Sequence, residues 1–363
     1  MTSVGSTDDI VSDPALATNV GRWVIWICCP PALPATSGDT GSAGGAGPPN
    51  LAGIEASTAS TADTAPSGLS PRSWGLLAVA IMAVSSAAIL ARWARPEPLA
   101  LAFWRTAGGA AVLGAPAWRA PVRPRGRQWW WLAAAGVALA LHFATWLASL
   151  RLTSVAASVT LVCSSPLMIA LWLWAAGRRP SGRTWAAIGL SFLGVALILA
   201  GDAAGGAPPP GGGRGSALAG DVLALAGAAC IAVYFVIGDR MRATLPTSVY
   251  AGWTYGAAAA ALAPMALLSG VSLVHLDGRA WVAVVATVVG PQLAGHTVLN
   301  ALLKQLGSIT VSLALLLEPF GSSLLAWVLL AEVPPFPVVA GAPLVVAGLA
   351  LQLVGSRPSP AAI

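Results

Sequence analysis

From about residue 73 to residue 355, long apolar runs alternate with short polar segments. Ten of these runs have roughly the 17–25 residues that a helix needs to cross the hydrocarbon core of a bilayer. They occupy residues 73–92, 98–117, 129–149, 154–176, 184–201, 217–238, 247–269, 280–302, 307–331 and 335–355. Several are rich in Gly, Ala and Ser, which is typical of helices that pack closely in a membrane bundle. The pattern predicts an all-α integral membrane protein with ten transmembrane helices.

The composition supports this prediction. The chain is 56% hydrophobic and only 9% charged, whereas an average soluble domain has about 25% charged residues. It also contains 16 Trp residues, many of them near the ends of apolar runs, where indole rings favour the membrane–water interface. The lipid bilayer is therefore an expected partner.

The distribution of positive charge predicts the orientation. The net charge of +6 could suggest nucleic acid, but the Arg residues lie in short loops, so no nucleic acid partner is expected. Loops after the second, fourth, sixth and eighth runs contain ten basic residues: Arg119, Arg123, Arg125, Arg127, Arg178, Arg179, Arg183, Arg240, Arg242 and Lys304. The other loops contain five, so the positive-inside rule places the first set and both termini in the cytoplasm.

Residues 1–71 differ from the rest of the chain. They are rich in Ala, Gly, Pro and Ser, as in "PATSGDTGSAGGAGPPN", and lack the apolar area that would offset the entropy of ordering them. The short apolar stretch "WVIWICC" at residues 23–29 cannot span a bilayer. We expect a disordered N-terminal tail.

The two halves of the apolar region repeat one another. "LRLTSVAASVTLVCSSPLMIALWLWAAG" (150–177) aligns with "LKQLGSITVSLALLLEPFGSSLLAWVLLA" (303–331) at an offset of 153, which pairs Ser165–Pro166 with Glu318–Pro319. The predicted repeats cover residues 73–202 and 216–355. Because each has five helices, an odd number, the second enters the membrane from the opposite side. Inverted repeats of this kind place the substrate site of secondary transporters near the midplane.

The layout resembles the EamA-type transporters of the drug/metabolite transporter superfamily. The features that carry the resemblance are the corners "LASLRLTSVAAS…SP" and "LLKQLGSITVS…EP", the step "AFWRTAGGA", and the closing runs "IGLSFLGVALILAG" and "AGAPLVVAGLALQLVG". The resemblance covers about residues 73–355 and implies transport of amino acids, other metabolites or drugs. This chain departs from the family pattern at Arg178, where an acid is common, and at Thr254, which replaces an Arg.

Glu318 is the one acidic residue deep inside a predicted span. It lies 11 residues into its run, about 16 Å along the helix axis. Arg105 is the corresponding basic residue, about 10 Å deep. Charged residues within membrane spans usually face the interior of the bundle, and they are candidates for a functional site. We therefore predict that Glu318 couples transport to protons or pairs with a cationic substrate; the alternative is a structural ion pair between Glu318 and Arg105.

Two prolines are the next candidates. Pro319 removes the helical hydrogen bond to residue 315 and kinks the helix, and a freed carbonyl is tolerated in a membrane only where it lines a cavity or is paired again. Pro166 is its counterpart in the first repeat. We predict that the two kinks form a central cradle; a plain helix kink is the alternative for Pro166.

Further polar and aromatic positions complete the predicted substrate-binding or coupling set. Gln292, His296 and Asn300 are spaced by four and would share one face of an α-helix, with His142 near the same place in the first repeat. Trp104 and Tyr234 could supply aromatic walls. Simple packing is the alternative for the histidines and the aromatics.

These features predict a proton-coupled secondary transporter in the cell membrane that exports a small organic solute. A membrane-embedded lipid-modifying enzyme and a non-transporting assembly subunit are the alternatives. No catalytic residue, metal ligand set or cofactor motif is predicted, so an enzyme is not expected. The sequence does not determine whether the protein forms a homodimer.

Overall fold

The computed structural model describes residues 70–204, 214–330 and 336–354, and this part of the chain is helical without a strand. The helices are α1 (Pro71–Ala94), α2 (Pro98–Arg119), α3 (Gln128–Ser149), α4 (Val155–Val162), α5 (Ser165–Ala175), α6 (Gly182–Ala204), α7 (Arg214–Arg242), α8 (Thr247–Leu268), α9 (Gly278–Thr287), a π-helix (Val288–Thr297), α10 (Val298–Leu315), α11 (Glu318–Leu330) and α12 (Phe336–Val354). The predicted tail, apart from Ser70 and Pro71, lies outside the described residues.

Six helical stretches within the described residues are long and apolar enough to cross a membrane. They are Pro71–Ala94, Gln128–Ser149, Ala157–Ala175, Gly215–Arg242, Thr247–Leu268 and Gly278–Leu315. Gly182–Leu197 and Val339–Val354 are apolar but shorter. The chain is therefore a multi-pass helical membrane protein. The count of ten spans stays a prediction.

Local sequence signals explain where several helices begin. The Ser154 hydroxyl accepts a hydrogen bond from the Ala157 amide (3.0 Å) at the start of α4, and the Asp277 carboxylate accepts one from the Ala280 amide (2.7 Å) at the start of α9. These side chains satisfy amides that have no partner within the helix. Pro98 and Pro166 lie in the first turns of α2 and α5, where a missing N–H costs little.

Two helices are interrupted near their middle. The break between α4 and α5 falls at residues 163–164, and the break between α10 and α11 falls at residues 316–317, which correspond at the offset of 153. Each break comes directly before the Ser165–Pro166 or Glu318–Pro319 pair. Gly307 makes a sharp turn inside α10 with φ 72° and ψ 167°, a conformation that is essentially restricted to glycine.

The helices pack mainly across the two halves of the chain. The most extensive pairings are α6 with α12, α2 with α8, and α3 with α7, and α1 packs against the π-helix. Each pair joins a helix before residue 205 to one after residue 213. Two of these pairs, α6 with α12 and α2 with α8, join helices that are equivalent in the two repeats, and the middle of the bundle lies between the halves.

Candidate functional site

A small buried cavity lies between the two halves of the bundle, beside both helix breaks. Its volume is about 30 Å³, room for one or two water molecules. The lining residues are Val84, Ala87, Arg105, His142, Trp146, Val162, Cys163, Ser165, Ile231, Pro291, His296, Leu315 and Glu318. The cavity therefore collects polar side chains from both repeats in an otherwise apolar interior.

Glu318 occupies the first position of α11, directly after the break at residues 316–317. The residue is 8% exposed, and its carboxylate lies 3.8 Å from the Cys163 thiol. Its backbone carbonyl accepts a hydrogen bond from the Ser85 hydroxyl on α1 (3.2 Å). The carboxylate thus faces the cavity while the backbone at the break is tied to α1.

Pro319 explains a second contact of the same thiol. A proline at this position cannot donate to the carbonyl of Leu315, four residues earlier. That carbonyl instead accepts a hydrogen bond from Cys163 Sγ at 3.3 Å. The break in one repeat is therefore linked to the break in the other.

Arg105 is almost fully buried, at 1% exposure. Its Nε donates to Gln292 Oε1 (3.0 Å), and its guanidinium lies 3.9 Å from the centre of the Phe143 ring. Amide oxygens and aromatic faces both attract a cation. Its Nη2 has no hydrogen-bond partner, so one N–H group of the guanidinium remains available.

His142 and His296 approach each other at the cavity, with ring centres 6.4 Å apart. His142 Nδ1 lies 3.0 Å from the Gly227 carbonyl; since a carbonyl only accepts, this contact assigns the proton to Nδ1. The His142 ring stacks on Trp146 with an interplanar angle of 9°. The Phe143 ring is packed edge-on against His296. The histidines are thus oriented by aromatic contacts from α3.

Several buried polar atoms in this region have no hydrogen-bond partner. They are Arg105 Nη2, Trp146 Nε1, Gln292 Nε2, His296 Nδ1, Ser164 Oγ and Ser165 Oγ. Buried polar groups are nearly always paired, and such exceptions call for an explanation. The groups of Arg105, Trp146 and Gln292 can only donate hydrogen bonds. The region is therefore suited to bind a chemical group that accepts hydrogen bonds.

The predicted ion pair between Glu318 and Arg105 is not formed directly. Both side chains line the same cavity, but among the described residues the ion pair within 4.0 Å joins Arg151 to Glu97 at the surface. The Arg105 guanidinium is held by Gln292 and Phe143 instead. Both charged groups therefore lack a direct partner of opposite charge.

The polar residues predicted to share one face of the eighth span differ in their surroundings: His296 lines the cavity, whereas Gln292 and Asn300 are not among its lining residues. Residues 288–297 of this span form a π-helix, whose i→i+5 hydrogen bonds widen the turn. Asn300 Nδ2 donates to the hydroxyls of Tyr234 (2.5 Å) and Tyr255 (3.4 Å). Asn300 and Tyr234 consequently form a separate buried network away from the cavity lining.

Two other predicted residues also lie away from the cavity lining. Trp104 Nε1 donates to the Leu273 carbonyl (2.7 Å), and its ring packs against Trp281 at 5.2 Å, so this side chain joins α2 to the loop before α9. Pro166 is buried in the first turn of α5, where it follows the lining residue Ser165. The aromatic-wall role predicted for Trp104 and Tyr234 is not supported at this cavity.

Sequence reasoning did not include Cys163, Ser165 and Trp146 among the site residues. For Ser165 the signal was present, since the repeat aligns it with Glu318. Trp146 follows His142 by four residues on α3, one helical turn away. No sequence signal distinguished Cys163 from an ordinary apolar position. Within the described residues, no group of three or more His, Cys, Asp or Glu side chains could hold a metal ion.

The fold and the cavity define a multi-pass helical membrane protein whose polar site lies between two halves. The chain belongs to the EamA-like transporter family, which it matches over residues 71–200 and 218–354. A solved crystal structure of another protein is similar in fold, with a TM-score of 0.62 and 23% identity, over 79% of this chain and 98% of its own. No curated protein matches the chain.

Proposed function

We propose that this protein is a secondary active transporter that moves a small organic solute across the cell membrane by alternating access. In this proposal ten spans form two inverted repeats, residues 73–202 and 216–355, with both termini in the cytoplasm. Membership of the EamA-like transporter family supports transport. The excess of basic residues in alternate loops supports the orientation.

One observation carries the proposal: an isolated carboxylate and an isolated guanidinium face one buried cavity at the meeting point of two broken helices. Isolated charges inside a membrane protein are costly and mark transport pathways and proton relays. The cavity of about 30 Å³ is far smaller than the ~300–1,000 Å³ of ordinary small-molecule sites. The described conformation is therefore best understood as a closed state between two open ones.

Glu318 is the proposed proton-coupling residue. In this proposal the Glu318 carboxylate exchanges a proton with water only when the cavity opens to one face of the membrane. Arg105 lines the same cavity without a direct bond to this carboxylate, so solute, proton and guanidinium can act on each other within it. Alternation of water access would then link proton movement to solute movement.

The solute is proposed to have a hydrogen-bond-accepting group, such as a carboxylate. The unpartnered N–H groups of Arg105, Trp146 and Gln292 would bind this group, because a buried donor without a partner costs free energy that an acceptor restores. His142 and His296 lie beside them. The proposed direction is export, which follows from the family resemblance.

The decisive experiment replaces Glu318 with Gln. This substitution keeps the shape of the side chain and removes the ionisable group, so we expect loss of proton-driven flux in proteoliposomes while the protein stays folded. Solute exchange without a proton gradient should persist. Asp277→Asn, at an exposed carboxylate that caps α9, is the matched control and should retain flux, since Asn is also a good capping residue.

The structural alternative makes a different prediction. If Glu318 and Arg105 only stabilise the fold, Glu318→Gln and Arg105→Gln should each lower the melting temperature, and the double variant should recover it. Undiminished proton-driven flux in Glu318→Gln would contradict the coupling role.

A further inference from the structure

Helix α7 contains the same dipeptide near each of its ends. Gly220–Asp221 and Gly238–Asp239 are 18 residues apart, which is five full turns of 3.6 residues, so they lie on one face of the helix. At 1.5 Å per residue they are separated by about 27 Å, close to the ~30 Å thickness of the hydrocarbon core. The two dipeptides therefore lie near opposite membrane faces.

The first dipeptide binds the start of α4. The Thr153 hydroxyl donates to Asp221 Oδ1 at 2.8 Å, and Thr153 directly precedes Ser154, the capping residue of α4. A Cβ atom at Gly220 would lie 2.9 Å from the Cβ atom of Thr153, which is too close for any other residue. Gly220 lets the start of α4 lie close to α7, and Asp221 binds Thr153 at that point.

The second dipeptide binds the equivalent segment of the second repeat. Asp239 Oδ2 accepts hydrogen bonds from the Ser308 amide (3.3 Å) and hydroxyl (3.2 Å), directly after the turn at Gly307. A Cβ atom at Gly238 would lie 2.8 Å from Leu303 Cδ1. Arg178, Asp239 and Arg240 also line a cavity of about 280 Å³ next to this contact.

Each bound segment leads directly to the central cavity. Thr153 is followed by α4 and then by the break at residues 163–164, and Ser308 is followed by the rest of α10 and the break at 316–317. Each segment also has contacts on its own side: Arg151 donates to the Pro96 carbonyl (2.7 Å) and pairs with Glu97 (3.3 Å), and Ser73 donates to Gln305 (3.0 Å). Movement of either segment away from α7 would uncover the cavity from one face only.

We propose that Asp221 and Asp239 are positioning residues for transport, each of which closes the path to the central cavity at one membrane face through its hydrogen bond to Thr153 or Ser308. This inference rests on the proposed alternating access. In the described conformation both contacts are present, and Arg105, Cys163 and Glu318 at the cavity are buried. One hydrogen bond at Asp221 and two at Asp239 are strong enough to favour closure and few enough to break in every cycle.

The natural Cys163 provides a direct test because it lines the central cavity and is buried. In a Cys28→Ser, Cys29→Ser, Cys230→Ser background, a membrane-impermeant maleimide is applied to right-side-out and inside-out vesicles. Asp221→Ala should raise the labelling rate roughly tenfold from one face only, and Asp239→Ala should do so from the opposite face, since each loses a hydrogen bond to a charged group. By the predicted orientation, the Asp221 face is the outer one.

Two variants serve as partner and control. Thr153→Val removes only the hydroxyl donor, so it should reproduce Asp221→Ala at the same face and carry the test if Asp221→Ala does not fold. Asp277→Ala removes a carboxylate that caps α9 without touching α7, and it should leave labelling unchanged at both faces.

The outcomes separate the closure role from the transport function. The closure role is overturned if Thr153→Val and Asp239→Ala expose Cys163 from the same face, or if neither changes its labelling. Labelling needs no solute. Sided labelling in a protein without flux would therefore overturn the proposed function and leave the closure role intact.

Discussion

At the scale of single residues, the most constrained contact is that between Arg105 and Gln292. The guanidinium is almost fully buried, and the Gln292 oxygen accepts from its Nε at 3.0 Å. A buried charge that loses such a partner retains its desolvation cost without compensation. Gln292 therefore keeps Arg105 in place while leaving Nη2 unpaired at the cavity.

Gln292→Leu tests this contact. The change keeps the approximate size of the side chain and removes the acceptor, so we expect a loss of about 1–3 kcal/mol in the free energy of unfolding. The measurement is a thermal or denaturant unfolding curve of the purified protein in detergent. Val274→Ala, at an exposed side chain in the loop before α9, should change stability by less than about 0.5 kcal/mol; equal losses in both variants would contradict the specific role of Gln292.

Only some residues of the candidate site could be predicted from the sequence. A polar side chain in an apolar run is visible without a structure, and on that basis Glu318, Arg105, His142 and His296 were predicted; all four line the cavity. The sequence does not determine how a helix is rotated about its axis. Asn300 donates to the hydroxyls of Tyr234 and Tyr255 instead of lining the cavity, and no residue pattern distinguished it from His296.

At the scale of elements, the two broken helices are the defining feature. Their prolines predicted an interruption, and the structure places both breaks directly before the Ser-Pro and Glu-Pro pairs. The turn at Gly307 had no such signal, because glycine is frequent throughout these helices. Its backbone angles are needed to bring Ser308 to Asp239.

Gly307→Ala tests that requirement. At φ 72° and ψ 167° a Cβ atom is strained, so we expect a loss of about 1–3 kcal/mol of stability. The unfolding midpoint of the purified protein measures it. Gly278→Ala, at the start of α9 in open space, is the matched control and should be nearly neutral; a neutral Gly307→Ala would argue against the turn.

At the scale of the whole molecule, the helix pairings across the two halves are best explained by two repeats. Inverted repeats make a specific demand on the loops. The loop between α2 and α3 and the loop between α8 and α9 are equivalent in the two repeats, so they must lie on opposite sides of the membrane.

Single cysteines at Arg125 and Val274 test this demand. Both positions are exposed, and in a background without other cysteines we expect an impermeant thiol reagent to label Val274→Cys only from outside intact cells and Arg125→Cys only after permeabilisation. Mass spectrometry of the labelled protein gives the result. Labelling of both from the same side would exclude inverted repeats.

Solute binding offers a further whole-molecule prediction. A solute that binds only the folded protein, at 100 times its dissociation constant, should raise the free energy of unfolding by about 2.7 kcal/mol. A thermal-shift screen of anionic and zwitterionic metabolites measures this. Arg105→Gln should abolish the shift for carboxylate-bearing solutes; a full shift in that variant would place the binding site elsewhere.

The helix breaks have a consequence for how specificity can change. At Pro166 and Pro319, carbonyl groups of the preceding turn lose their usual helical donor, and these backbone acceptors lie beside the cavity. Side-chain substitution cannot delete a backbone carbonyl. Substitution of the cavity side chains would therefore leave these backbone acceptors in place, although their present partners, such as Cys163 at the Leu315 carbonyl, would change. The transported solute could then change while these backbone acceptors stay available. Alanine scanning alters only side chains, so it would underestimate the binding surface.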